Sequence, residues 1–192
     1  KKLPSFYNLI LSNKNFSLLK KLKPEAKWGV MNKALGFRFD YPKDKVFLTQ
    51  MHQDYTSNLG AKNGLVFISP LSSITKNLGQ IKIYPKTHKL GIQKIKISNK
   101  KNINETRKYL LADEKKLKKT SFKSIPLKST DLLVIDFLTL HESSYNFSNK
   151  TRITFISRYI DLNCENGLKI FFSDGEQAGN YFSKVHKDMT VY

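Results

Sequence analysis

Short runs rich in β-branched and aromatic residues, each ended by glycine, proline or polar turn residues, recur along this chain of 192 residues. They cover Ala34–Tyr41, Val46–His52, Gly64–Leu71, Gly79–Tyr84, Ile92–Ser98, Leu132–Leu138, Arg152–Ile160 and Leu168–Phe172. A run of this kind can turn alternate side chains to one buried face. Many such runs at close spacing favour a β-sandwich or barrel over an α/β fold. Helical signals are few: Phe16 to Leu22 reads as a short helix halted by Pro24, and the charged, Leu-bearing stretch Ile103 to Lys119 as an amphipathic helix or lid-like insertion.

The length suits a single domain over residues 1–192, large enough to bury about 70% of its unfolded surface without a disulfide. Cys164 is the one cysteine, so neither a disulfide framework nor a thiolate zinc site is available, and a reducing cytoplasm is the expected setting. No run approaches the roughly 20 apolar residues that span a bilayer, and no signal peptide is visible. The chain opens Lys1-Lys2-Leu3 without an initiating methionine, which leads us to expect a further N-terminal segment.

A net charge of +19 has two competing explanations. Only Arg38, Arg107, Arg152 and Arg158 are arginine, and plentiful lysine, asparagine and isoleucine is the usage of an AT-rich genome on a solvated surface. The alternative is electrostatic steering of an anionic substrate. Lysines are dispersed along the whole chain, which argues against a dedicated nucleic-acid binder.

Against this background, His52-Gln53-Asp54 and the distant His141 stand out. Two imidazoles and one carboxylate can occupy one triangular face of an octahedral metal and leave three positions open, as in non-haem Fe(II) oxygenases. On an extended strand His52 and Asp54 share a side while Gln53 faces away. The third ligand, His141, closes the apolar run that starts at Asp131. His88 sits in the Pro85-Lys86-Thr87 turn and reads as structural; His186 has no assigned role; Asp136 is expected to alternate toward solvent.

The sequence after His141 continues Glu142-Ser143-Ser144-Tyr145-Asn146-Phe147-Ser148-Asn149-Lys150-Thr151-Arg152. This His-x-Ser, an Asn-x-Ser turn and an arginine eleven positions past the histidine resemble the phytanoyl-CoA dioxygenase family of Fe(II)/2-oxoglutarate oxygenases. His52-Gln53-Asp54 is similar to the family's metal motif. The stretch Gly79 to Gly91 resembles its strand and turn, with Lys86 where glycine is usual. Lys128-Ser129-Thr130-Asp131 stands where the family has a turn ending Gly-Asp. The likeness spans Lys33 to Asp161.

The resemblance implies a mainly β fold, a double-stranded β-helix (cupin-like jelly roll) with a few peripheral helices. It implies Fe(II) held by His52, Asp54 and His141, and 2-oxoglutarate as co-substrate. Arg152, expected on a strand beside that of His141, would grip the distal carboxylate through its planar fork, helped by the Ser143 hydroxyl. Loops from Tyr55 to Lys62 and from Ser98 to Ser124 would line the entrance for a small-molecule substrate, with Tyr55 and Arg158 as candidate contacts. The expected activity is hydroxylation or desaturation rather than halogenation, because Asp54 fills the position that halogenating relatives leave to chloride. The rival reading is a non-catalytic jelly-roll module that binds a ligand.

Overall fold

The computed structural model describes residues 4–31, 35–59, 61–97, 109–164, 182 and 185–191. Its main sheet is built around β10 (Arg152–Asp161), which pairs on one side with β3 (Leu65–Pro70), itself paired with β8 (Leu133–Asp136). The other edge of β10 is shared end to end by β2 (Gly36–Asp40) and β1 (Trp28–Val30), all antiparallel.

Alternation along β10 and β3 sorts the side chains into two layers. Phe67, Leu65 and Tyr159 face outward and are buried against α2 (Asn13–Leu22). There Asn15 donates to the Tyr159 hydroxyl (3.0 Å), which donates to Ile10 O at 2.8 Å. Ser12 caps α2 by accepting from the Asn15 amide, an N-cap worth about 1 kcal/mol. The ring of Phe6, on α1 (Pro4–Ile10), meets Phe155 and Phe37 edge-on. Arg152, Thr154, Ile156 and Arg158 of β10, with Val66 and Ile68 of β3, face inward.

Opposite them lies a second sheet, β7 (Lys123–Ile125), β4 (Ile81–Ile83) and β9 (His141–Ser143). Between the sheets Val66, Ile68, Ile81, Leu127, Ile135, Phe137 and Ile160 form the principal core. A smaller antiparallel pair, β5 (Ile95–Ile97) with β6 (Tyr109–Leu111), carries β11 (Thr190–Val191) alongside β5 in parallel. Two facing, mostly antiparallel sheets with peripheral helices are the jelly roll expected.

Several local expectations need correction. Val46 to His52 is not a strand: the Asp44 carboxylate accepts from the Val46 and Phe47 amides (2.6 and 3.3 Å) and turns the chain, leaving both side chains exposed. Only His52 forms a bridge, to His141. Nor does His141 close the Asp131 run. β8 ends at Asp136, whose Oδ1 accepts from the Leu138 amide at 2.9 Å, and the chain crosses to the other sheet before His141 opens β9. Arg152 therefore faces the His141 strand across the core instead of lying beside it.

Within Ile103 to Lys119 the described part is β6, turns and the single-turn helix α4 (Glu114–Leu117), in which Leu117 is the one buried residue. The rest of that stretch, and Leu168–Phe172, lie outside the described residues. Asp136 does reach the surface, where Lys23 Nζ meets it at 2.9 Å and fastens the end of α2 to β8. Lys86 has φ of 67°, the left-handed region that favours glycine, which explains why glycine suits this turn in the resembled family.

Candidate metal centre

The two histidines are one cross-strand pair. His52 N donates to His141 O at 3.0 Å and His141 N to His52 O at 3.1 Å, which sets the rings side by side with centroids 4.3 Å apart. Each ring is also anchored from behind: His52 Nδ1 meets Gln50 O at 2.9 Å, and His141 Nδ1 meets Thr139 O at 2.9 Å. A carbonyl only accepts, so both Nδ1 atoms carry the proton, and in a neutral ring Nε2 keeps its lone pair. Burial, and then the neighbouring His141, push the His52 pKa down to about 3, so this ring is neutral at physiological pH.

Asp54 reaches the same point by a different backbone route from the strand expected. Gln53 is extended (φ −108°, ψ 135°), and Asp54 opens a one-turn helix, α3 (Asp54–Ser57). The turn starts there because Gln53 is fixed: its fully buried amide donates to Gly91 O (2.9 Å) and Leu138 O (2.7 Å) and accepts from Gln93 N (2.9 Å). Asp54 Oδ2 lies 3.3 Å from His141 Nε2. Its other oxygen, Oδ1, accepts from Arg158 Nε (2.9 Å), Arg158 Nη2 (2.8 Å) and Asn58 Nδ2 (3.2 Å). Burial alone would raise the Asp54 pKa, but the Arg158 guanidinium outweighs it and holds the carboxyl well below its ordinary value.

Ligand atoms of His52, Asp54 and His141 all lie within 4.8 Å of one another, close enough to share one ion. They open onto a cleft of about 480 Å³, mouth included, between the two sheets. At its far end Arg152, 2% exposed, is held on every side. Its Nε and Nη2 reach Asp40 Oδ2 (3.0 and 2.8 Å), Nη1 donates to Gly79 O, and Nη2 donates to Ser143 Oγ at 3.3 Å. Gly79 has φ of 87°, and a Cβ there would sit 2.5 Å from Ser144 O, so only glycine fits.

Asp40 and Arg38 are the residues that sequence reasoning missed. They stand on β2 directly opposite Arg152 and Thr154, so both lie on the inner face of the sheet, where Arg38 lines the cleft and Asp40 sits behind Arg152. Arg38 grips the Asp40 carboxylate through Nε (3.0 Å to each oxygen) and Nη2 (2.7 Å). Burial raises the Asp40 pKa, but the two guanidiniums overcome it and the carboxyl stays below its usual range. Thr49, also missed, lines the cleft with a buried hydroxyl that has no partner among the described residues. Pairing was the only signal for Asp40, through Arg38-x-Asp40 on a strand face.

The remaining candidates separate. Tyr55 turns away from the cluster into the core, where its hydroxyl meets His186 Nε2 at 3.1 Å, so His186 has a packing role after all. His88 is exposed in a 3-10 turn and is not grouped with the cluster.

A jelly roll with a buried two-histidine, one-carboxylate cluster facing an arginine-lined cleft defines the class. The phytanoyl-CoA dioxygenase (PhyH) family model matches residues 10–154, and the chain belongs to that family. Comparison with curated proteins finds no significant match. Among solved structures, the chain is similar to the epimerase SnoN in complex with Fe3+, alpha ketoglutarate and nogalamycin RO (15% identity, 92% of this chain, 68% of that one, TM-score 0.67). It is similar also to the carbocyclase SnoK from nogalamycin biosynthesis (17%, 92%, 68%, 0.64). A third is EvdO2 from Micromonospora carbonacea var. aurantiaca complexed with 2-oxoglutarate (18%, 80%, 62%, 0.58). In another structure of SnoN the aligned part spans 57% of that longer chain.

Proposed function

We propose that this chain is an iron- and 2-oxoglutarate-dependent oxygenase acting on a small molecule. The observation that carries the reading is the shared ligand geometry: two imidazoles with Nδ1 tied to carbonyls and a carboxylate oxygen converging on one point. Hydrogen bonds from Nδ1 to a backbone carbonyl are what orient histidines for a metal. The residues fit the group. An iron ion held by His52, Asp54 and His141 would supply dioxygen activation, which no side chain of the chain can perform.

The chain's own part is placement. Arg152 and Ser143 would receive the distal carboxylate of 2-oxoglutarate at the dry end of the cleft, Arg38 stands next to them, and the unpartnered Thr49 hydroxyl offers a further donor. Val66, Ile68, Ile81 and Ile156 exclude water between that end and the metal ligands. The SnoN, SnoK and ThoJ structures are described as an epimerase, a carbocyclase and a monooxygenase, so one fold serves several outcomes. Hydroxylation or desaturation, rather than halogenation, is the outcome that Asp54 favours here. For an anionic substrate the +19 charge would have to steer from the surface, because the cleft's arginines 38, 152 and 158 each face a carboxylate of the chain itself.

The test is an anaerobic titration. Fe(II) and then 2-oxoglutarate should produce the visible metal-to-ligand band of a chelated keto acid, with one equivalent of each. A jelly-roll module that binds ligands without catalysis would give no band and no succinate in air.

A further inference from the structure

The two oxygens of Asp54 do not have the same surroundings. Oδ2 is turned toward His141 Nε2, whereas Oδ1 already accepts two hydrogen bonds from one guanidinium and a third from the Asn58 amide. A carboxylate oxygen offers two lone pairs in its plane, so three donors leave Oδ1 nothing to give a metal. Arg158 is held to this task by β10, on the same face as Arg152 and six residues along. Asn58 is held by its second bond, from Nδ2 to the Asp54 carbonyl at 2.9 Å.

We propose that Arg158 is a positioning residue that keeps Asp54 a one-oxygen ligand and thereby keeps one coordination position open beside the bound co-substrate. This rests on the iron and 2-oxoglutarate reading above. An octahedral ion has six positions. Two histidines, one carboxylate oxygen and a chelating keto acid fill five, and the sixth is where dioxygen must enter. If Oδ1 were released, the carboxylate could swing to bind through both oxygens and close that position, while metal and co-substrate still bound. Arg158 was a candidate substrate contact in the sequence; the geometry assigns it to the metal carboxylate instead.

That difference is measurable without turnover. Nitric oxide, a stable stand-in for dioxygen, is added anaerobically to the Fe(II) and 2-oxoglutarate complex, and the S = 3/2 electron paramagnetic resonance signal is followed. Wild type should give the signal. Arg158→Gln should keep Fe(II) and 2-oxoglutarate binding within a few-fold and retain the keto acid band, yet need about 10–100-fold more nitric oxide, the size of effect on affinity or activity when a group that orients a metal ligand is lost. Arg158→Lys, which restores one donor, should recover part of this.

Undiminished nitric oxide binding in Arg158→Gln would overturn the proposal. Should Arg158→Gln fail to fold, the Lys variant and Asn58→Ala decide: the same nitric oxide affinity as wild type in both sinks it. Failure of wild type to show the keto acid band at all would instead refute the functional reading on which it stands.

Discussion

The two ends of the cleft are prepared in opposite ways. At the metal end His52, Asp54 and His141 bring ligand atoms together with Nδ1 and Oδ1 tied back, so the remaining atoms converge on one point. At the other end the charges are already matched: Asp40 lies between two guanidiniums, and Arg152 is bonded to Asp40, Gly79 and Ser143. The first arrangement stores chemistry at the expense of stability, since lone pairs of buried groups face each other. The second contributes to folding, and a co-substrate there must join an existing network. Mutations at the two ends should therefore separate binding from folding.

The largest expected effect is at the metal end. Replacing His52 and His141 together by alanine, which leaves the buried Asp54–Arg158 ion pair intact, should abolish uptake of Fe(II) while the protein still melts cooperatively, within a few degrees of metal-free wild type. Undiminished uptake of one equivalent at unchanged affinity would remove the ligand assignment. A collapse of the fold would show instead that the cluster is structural, and the contrast between the ends would fail.

Asp40→Ala should do the reverse. Removing one partner of a buried pair leaves an uncompensated charge and costs about 3–5 kcal/mol, and here it strips both Arg38 and Arg152 of their carboxylate. Chemical denaturation of the metal-free protein should show this loss with Fe(II) affinity unchanged in what remains folded. A stability change below about 1 kcal/mol would mean that water, not Asp40, satisfies these arginines.

Arg152 sharpens the comparison because it belongs to both functions. Arg152→Ala should weaken 2-oxoglutarate binding by about 30-fold or more, the lower end of the roughly 2–5 kcal/mol for truncating a buried charged pair. It should also lower the melting temperature, since Asp40 loses one of its two cations. Arg152→Lys keeps the charge without the planar fork and should restore only part of the affinity. Isothermal titration well below the melting temperature of each variant separates the two effects. Unchanged 2-oxoglutarate affinity in the alanine variant would leave Arg152 a purely structural residue.

What could be read from the sequence follows the same division. Apolar, β-branched runs placed β3, β4, β8 and β10 within the expected segments, because each strand has a side buried in the core. The jelly roll was legible through the family resemblance, and the grouping of His52, Asp54 and His141 through residue type, spacing and that resemblance, although Asp54 opens a helix instead of continuing a strand. Asp40 was not, because its role depends on β2 lying against β10 in a register that pairs Asp40 with Arg152, and register between segments over a hundred residues apart leaves no local trace. The helical start at Asp54 was hidden for a similar reason. It depends on Gln53 bonding to Gly91, Gln93 and Leu138, three partners that only the fold assembles. The fate of Val46 and Phe47 shows the limit of pattern reading: an apolar β-branched run is not a strand when an upstream aspartate captures its amides.

The smallest effect, and the one that compares the two ends within one experiment, is the response to acid. His52 has its folded pKa lowered to about 3 from an ordinary 6.5, so the unfolded chain binds a proton that the folded one refuses. Its contribution to stability is complete above pH 6.5 and drains away as the pH falls from there toward 3. Asp40 and Asp54 are lowered from 3.8, so their contributions begin to fall only near pH 4 and continue below it. Denaturation midpoints of the metal-free protein should thus decline in two stages, one from about pH 6.5 to which His52 at the metal end and His186, also lowered by burial, both contribute, and a steeper one below about pH 4 shared by both ends. His52→Gln should shrink the first stage to the part due to His186 and leave the second. If the decline between pH 6.5 and 4.5 is as large in His52→Gln as in wild type, the neutral, carbonyl-anchored imidazole is not a source of it, and the claim that the metal end is held ready for an ion loses its physical basis.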